Sequence, residues 1–138
     1  MIGFSVPQGG EVLVISYEGV HLLRLTSKVT VETNDEFAEY DIYDPDSGLA
    51  RYRGKEYRII GLQGGSPLLE APNGERLALD TESETLSVVR NGETVFSVKY
   101  ENFSGDWAVA TFSLDGRYIV LGCPYDFDFM ILERNVEA

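Results

Sequence analysis

Residues 66–100, SPLLEAPNGERLALDTESETLSVVRNGETVFSVKY, read as four short strands joined by three tight turns. Pro72-Asn73-Gly74 separates the first two, the polar run Thr81 to Glu84 the next two, and Asn91-Gly92 the last two. Asn-Gly is the strongest short-range hairpin signal, because both residues tolerate positive φ. A two-residue turn there sets Arg90 opposite Glu93 and Val88 opposite Val95, a charged pair at the tip and an apolar pair further in. This stretch predicts an antiparallel meander, and the flanks repeat its pattern.

On the N-terminal side, GFSV, EVLVIS and VHLLRL read as strands broken at Pro7 to Gly10 and at Tyr17-Glu18-Gly19. EVLVIS and VHLLRL are almost continuously apolar, which fits strands covered on both faces. KVTVET, from Lys28, alternates and predicts a strand with one wet face. In NDEFAEY, Asn34 is placed to cap one helical turn. AEYDIYD and LARYRG flank Asp44-Pro45-Asp46-Ser47-Gly48, where Pro and Gly suit a turn, and EYRIIGL is a further strand. On the C-terminal side Glu101 to Gly105 connects to a last strand, Asp115-Gly116 turn, strand, break and strand, with a frayed tail from Asn135.

Three stretches then fall into step: FSVPQGGEVLVIS from Phe4, LLEAPNGERLALD from Leu68 and TFSLDGRYIVLGC from Thr111. The last two start 43 residues apart, the period of a four-stranded propeller blade. FSLDGRYIVLG resembles the "FSPDGRYLAS" phrase of WD40 and related β-propeller blades, and YDPDSG resembles their turn between third and fourth strands. The Gly-His and Trp-Asp dipeptides of WD40 repeats are absent, and Trp107 falls on a strand. Closed propellers need at least about four blades, and this length supplies about three. The expectation is therefore a single all-β domain over residues 1–138, its antiparallel hairpins forming a sandwich or curled sheet from propeller-blade-like units.

The chain is long enough to bury a core without staples. Its 23 acids against 11 bases give a formal charge of −12. Such a field repels nucleic acid and anionic membranes and attracts basic partners. The lone Cys123 cannot form an internal disulfide, the N-terminus lacks a secretion-signal pattern, and no apolar run approaches membrane-spanning length. These features predict a cytoplasmic protein.

Candidate chemistry is sparse. Cys123 and His21 are the possible thiol and imidazole pair, but both lie inside apolar strands and read as core. Asp41, Asp44 and Asp46 precede a turn, and Asp126 and Asp128 sit near Glu133. Carboxylates need to converge on one pocket to do acid–base work or hold a hard cation, and turn formation explains them more simply. The Asp80-Thr81-Glu82-Ser83-Glu84 run reads as an exposed loop. Gly61, Gly64 and Gly65 lack the lysine and the following helix of a phosphate loop. Arg51, Arg53, Lys55 and Arg58 interleave with Tyr52 and Tyr57; Arg51, Arg53 and Lys55 share one face if the strand runs through Gly54. No catalytic, metal or cofactor motif stands out.

Tyrosines among acids are the better hint, because Tyr amid charge is the composition of protein-binding surfaces. Tyr40, Tyr43, Tyr52 and Tyr57 lie so, as do Tyr125, Phe127 and Phe129 near the end. The leading expectation is a non-enzymatic acidic module, of the kind seen in immunity proteins and enzyme inhibitors. It would dock a basic protein through Asp41, Tyr43, Asp44, Asp46, Tyr52, Tyr125, Asp126 and Asp128. The alternatives are a β scaffold completed by pairing its edge strands with further copies, and a small-ligand or cation binder using clustered carboxylates.

Overall fold

The computed structural model describes residues 3–16, 19–25, 28–34, 42–44, 46–61, 67–101, 108–123 and 128–134, without the side chains of Gly61 and Asp128. Every element among them is a strand. The chain gathers into two compact units, Met1–Ser66 and Pro67–Ala138, each with an apolar core of its own.

In the first unit the strands are β1 (Gly3–Ser5), β2 (Glu11–Ser16), β3 (Gly19–Arg24), β4 (Thr30–Asn34), β5 (Tyr43–Asp44), β6 (Leu49–Tyr52) and β7 (Lys55–Gly61). They form one curled antiparallel sheet in the order β4-β3-β2-β1-β7-β6-β5. The short β1 lies between the strand that follows it and the last strand of the unit, with Phe4 opposite both Val14 and Ile60. Alternate residues point into the curl, where Leu13, Ile15, Val20, Leu22, Ala50, Tyr52, Tyr57 and Ile59 pack with Tyr43. Val12 and Val14, on the other face of β2, are also buried, so the continuous apolar run does mark a strand covered on both sides.

Strand β4 alternates as expected, but with the faces reversed. Val31 is 60% exposed, and Glu32 and Asn34 take the half-buried positions. Asn34 is the last residue of this strand; the helical turn expected after it, at residues 35–40, lies outside the described residues.

The second unit contains β8 (Arg76–Asp80), β9 (Thr85–Arg90), β10 (Glu93–Lys99), β11 (Val109–Phe112), β12 (Tyr118–Cys123) and β13 (Asp128–Glu133). They make two three-stranded antiparallel sheets, β10-β9-β8 and β11-β12-β13. Leu77, Leu86 and Val88 of the first pack with Ala110, Phe112, Ile119, Leu121 and Cys123 of the second in one cluster.

The central stretch forms three strands where the sequence suggests four. Leu68 gives its carbonyl to the Phe112 amide at 2.8 Å, Leu69 gives its own to Leu77 at 2.8 Å, and only an isolated bridge pairs Glu70 with Arg76. Prolines at 67 and 72 remove two backbone donors from this segment, which limits it as a ladder strand.

The Asn91-Gly92 turn forms as read, with φ of 53° and 79° and Arg90 opposite Glu93. The apolar pair further in differs from expectation. A β-bulge between Thr94 and Phe96 slips the register so that Val88 faces Phe96, which packs against the core, while Val95 turns out and is 48% exposed. The extra residue lets the larger ring take the inward position.

Candidate functional site

At one end of the first unit's curl the inward faces turn from apolar to charged. Glu11, Arg24 and Lys55 continue the rows of Leu13, Leu22 and Tyr57, and Glu32 lies opposite Leu22. They join into a chain of alternating sign. Lys55 Nζ lies 2.6 Å from Glu11 Oε1, Arg24 Nε 3.8 Å from Glu11 Oε2, and Arg24 Nη1 3.4 Å from Glu32 Oε2. The Arg53 guanidinium then takes both Glu32 oxygens, Nη1 donating to Oε2 at 3.1 Å and Nη2 to Oε1. Arg53 also lies over the Tyr52 ring, 5.1 Å from its centroid.

The Arg53 bonds, together with the charges of Arg53 and Arg24, hold the Glu32 carboxyl below its usual range against the opposing effect of burial. Glu11 raises the Lys55 ammonium by hydrogen bond and charge. Burial, then the nearby Glu11 charge, pushes the Tyr57 phenol up.

Two of the four clustered bases, Arg53 and Lys55, are thus engaged with acids of their own unit. Arg51 also pairs with Glu56, at 2.8 Å. Arg53 and Gly54, at φ of 52° and 79°, form the turn between β6 and β7. That turn places Tyr52 opposite Lys55 and breaks the shared face expected for Arg51, Arg53 and Lys55.

The second unit holds a tighter cluster around Glu75, which is buried. Its Oε2 lies 3.1 Å from both Arg90 Nη2 and Arg134 Nη2, and Oε1 accepts from Asn73 Nδ2 at 2.8 Å. Arg134 stands over the Phe96 ring at 5.7 Å. Burial alone would raise the Glu75 carboxyl, but the Asn73 amide and the two guanidiniums outweigh it and hold it below the usual range. Charges this enclosed persist only when paired and hydrogen-bonded.

The sequence-predicted residues separate into two groups. Tyr43, Tyr52 and Tyr57 are not exposed anchors; they are 3%, 4% and 2% exposed and belong to the core. Asp44 and Asp46 are exposed, and they build the turn. Asp44 Oδ1 accepts the Asp46 amide at 3.0 Å, and the Asp44 carbonyl accepts the Gly48 amide at 2.9 Å. Asp41, Tyr125 and Asp126, like Tyr40 and Phe127, lie outside the described residues, as does the Asp128 side chain.

Asp80 acts as Asp44 does, accepting the amides of Glu82 and Ser83 at 3.0 and 3.2 Å; those bonds lower its carboxyl. His21 has hydroxyls at both ring nitrogens, Ser16 at 3.0 Å and Thr33 at 3.1 Å. Cys123 is buried and forms no disulfide, and its Sγ lies 3.9 Å from the Glu101 carbonyl oxygen. It lines a small pocket of ≈ 30 Å³ with Tyr100, Glu101, Leu121, Phe129 and Met130, a volume that suits about one water molecule. Among the described residues, no group of three or more His, Cys, Asp or Glu could hold a metal ion. No helix among them is long and apolar enough to cross a membrane.

Glu75 was not among the candidates, though its signal lies in the sequence. EVLVIS and ERLALD both place Glu directly after a Gly turn, and GVHLLR and TLSVVR both end in Arg. No protein family, no curated protein and no solved structure matches this chain.

Proposed function

We propose that this protein is a non-enzymatic acidic module that binds a basic protein. The observation that carries the reading is how the charge is distributed. Seven bases, Arg24, Arg51, Arg53, Lys55, Arg90, Arg117 and Arg134, are drawn onto five glutamates, Glu11, Glu32, Glu56, Glu75 and Glu133. Meanwhile Asp46, Glu70, Glu82, Glu93 and Glu101 are exposed, and no ion pair of theirs is found among the described residues. The formal net charge is −12, these exposed acids carry part of it unpaired among the described residues, and such a field speeds encounter with a cationic protein. A cytoplasmic setting accords with a lone cysteine that forms no disulfide.

With Tyr43 and Tyr52 in the core, the contact rests on carboxylates, and the reading makes affinity depend strongly on ionic strength. Capture by the tagged protein from its host's lysate at low salt, followed by a rising salt step, tests this. Release of a basic protein by salt supports the reading; recovery of nothing but the bait argues against it.

Self-assembly is the second reading, favoured by the sheet edges. Strands β4 and β10 each end a sheet and present Val31 and Val95 to solvent, and exposed edges invite pairing. A monomeric mass at high micromolar concentration would remove it.

A further inference from the structure

Among the described residues, the sheet of the first unit is curled but not closed by a backbone ladder. Its order starts at β4 and ends at β5, so no ladder joins β4 to β5 or β6. Across this seam the described residues are joined by side chains. Arg53, in the turn after β6, grips the Glu32 carboxylate of β4 with two nitrogens, and Asn34 Nδ2 reaches Tyr52 Oη at 3.5 Å. Arg24 of β3 supports Glu32 from behind at 3.4 Å and connects it to Glu11 and Lys55.

Strand β4 is held otherwise by its ladder to β3 and the His21–Thr33 contact, with few buried side chains of its own. Its burial pattern is the least apolar of the unit, with Thr30, Val31 and Thr33 exposed. Val29, just before it, is 46% exposed. A strand with few buried contacts opens at far lower free energy than the core does.

We propose that the Arg53–Glu32 pair is a salt-sensitive latch: engaged, it pins edge strand β4 across the mouth of the curl, and screened, it lets β4 detach from β3 and uncover Tyr52 and Tyr57. Bidentate geometry fixes β4 in one position, which a diffuse attraction would not. Exposed pairs are individually weak and fade as the Debye length shrinks. Here the weakness makes the device reversible. The latch does not depend on whether a basic partner exists, although a cationic side chain competing for Glu32 would open it.

The test is amide hydrogen exchange on the whole chain, read at the β4 amides that bond to β3. Raising salt from ~10 mM to ~1 M should speed their exchange about two- to five-fold and leave β2 and β8–β10 unchanged. Glu32→Gln and Arg53→Gln should each give the fast rate already at low salt, with little further response to salt. Rates in the native protein that ignore salt overturn the latch. So does an acceleration in either variant that spreads equally through β2 and β3, since that would be general loosening of the sheet.

Discussion

Glu11 and Glu75 hold corresponding places in the two units. Each follows a glycine turn, each faces the arginine that ends the next strand, Arg24 or Arg90, and each takes a second cation from farther along, Lys55 or Arg134. Their surroundings differ. The Glu11 side chain is 15% exposed and its cations are 46% and 58% exposed, whereas Glu75 is 3% exposed and its cations Arg134 and Arg90 18% and 52%. Water screens the first cluster, so its attraction is weak and adjustable. At the second, Glu75 has exchanged hydration for three polar partners, and it and Arg134 are the groups that would lack water if separated. One constellation therefore backs the Arg53–Glu32 latch in one unit, through Arg24, and serves as a structural fixture in the other.

The largest effect should follow from removing the enclosed carboxylate. Glu75→Ala leaves the half-buried Arg134 beside Phe96 without its counter-charge and should lower unfolding free energy by about 3 kcal/mol, the lower end for a broken buried pair, in denaturant titration. Glu11→Ala should cost a small fraction of that. Equal losses would mean that exposure does not separate the two sites.

The bulge gives the next contrast. Phe96→Ala removes a ring packed on the core and should cost about 2–3 kcal/mol, while Val95→Thr should stay within about 0.5 kcal/mol. A reversed order would place Val95 inward, as the unbulged hairpin requires.

Two turn glycines extend the comparison. Gly116 has φ +74°, and a Cβ there would meet Pro72 Cδ at 3.1 Å and Ala71 Cβ at 3.2 Å; at Gly54, φ +79°, nothing lies within 4 Å. Both alanine variants bear backbone strain of about 1 kcal/mol, but only Gly116→Ala also presses into its neighbours. Its thermal midpoint should fall further than that of Gly54→Ala, and equal shifts would show that Ala71 and Pro72 yield freely.

The smallest effect is an acid limb. The folded Glu75 carboxyl sits below its unfolded value. It contributes stability above the ordinary glutamate range, near about 4.3, and loses it as pH falls through the folded value. Melts across acid pH should decline less steeply in Glu75→Gln than in the native chain. Parallel slopes would assign the acid loss elsewhere, with Asp80, Asp115 and Glu32 also lowered.

Local structure was legible because it is written in neighbouring residues. Asn91-Gly92, Pro72-Asn73-Gly74 and Asp115-Gly116 all turn where read, with Asp115 also receiving the Ser113 hydroxyl at 2.5 Å and the Arg117 amide at 3.0 Å. Sheet order was not legible, since the pairing of β1 with β7 joins segments far apart in the chain. The bulge was hidden because Val95 and Phe96 are both apolar, and pattern alone does not say which one the core takes.

The tyrosines were readable and misread. In LARYRGKEYRII, Ala50 and Tyr52 alternate with Arg51 and Arg53, and Tyr57 and Ile59 flank Arg58, a period that assigns them to the dry face. Composition pointed to a binding surface where period pointed to a core. The enclosed Glu75 cluster escaped because its third member, Arg134, is brought in from the far end of the unit.

The most direct test of the proposed function is a paired capture from host lysate at low salt. One bait is the native chain, and the other carries Asp46→Asn, Glu70→Gln, Glu82→Gln, Glu93→Gln and Glu101→Gln together, changes at exposed positions with no assigned ion pair. The account predicts a basic protein held by the first, released by salt, and lost from the second. Equal retention of that protein by both baits would contradict it.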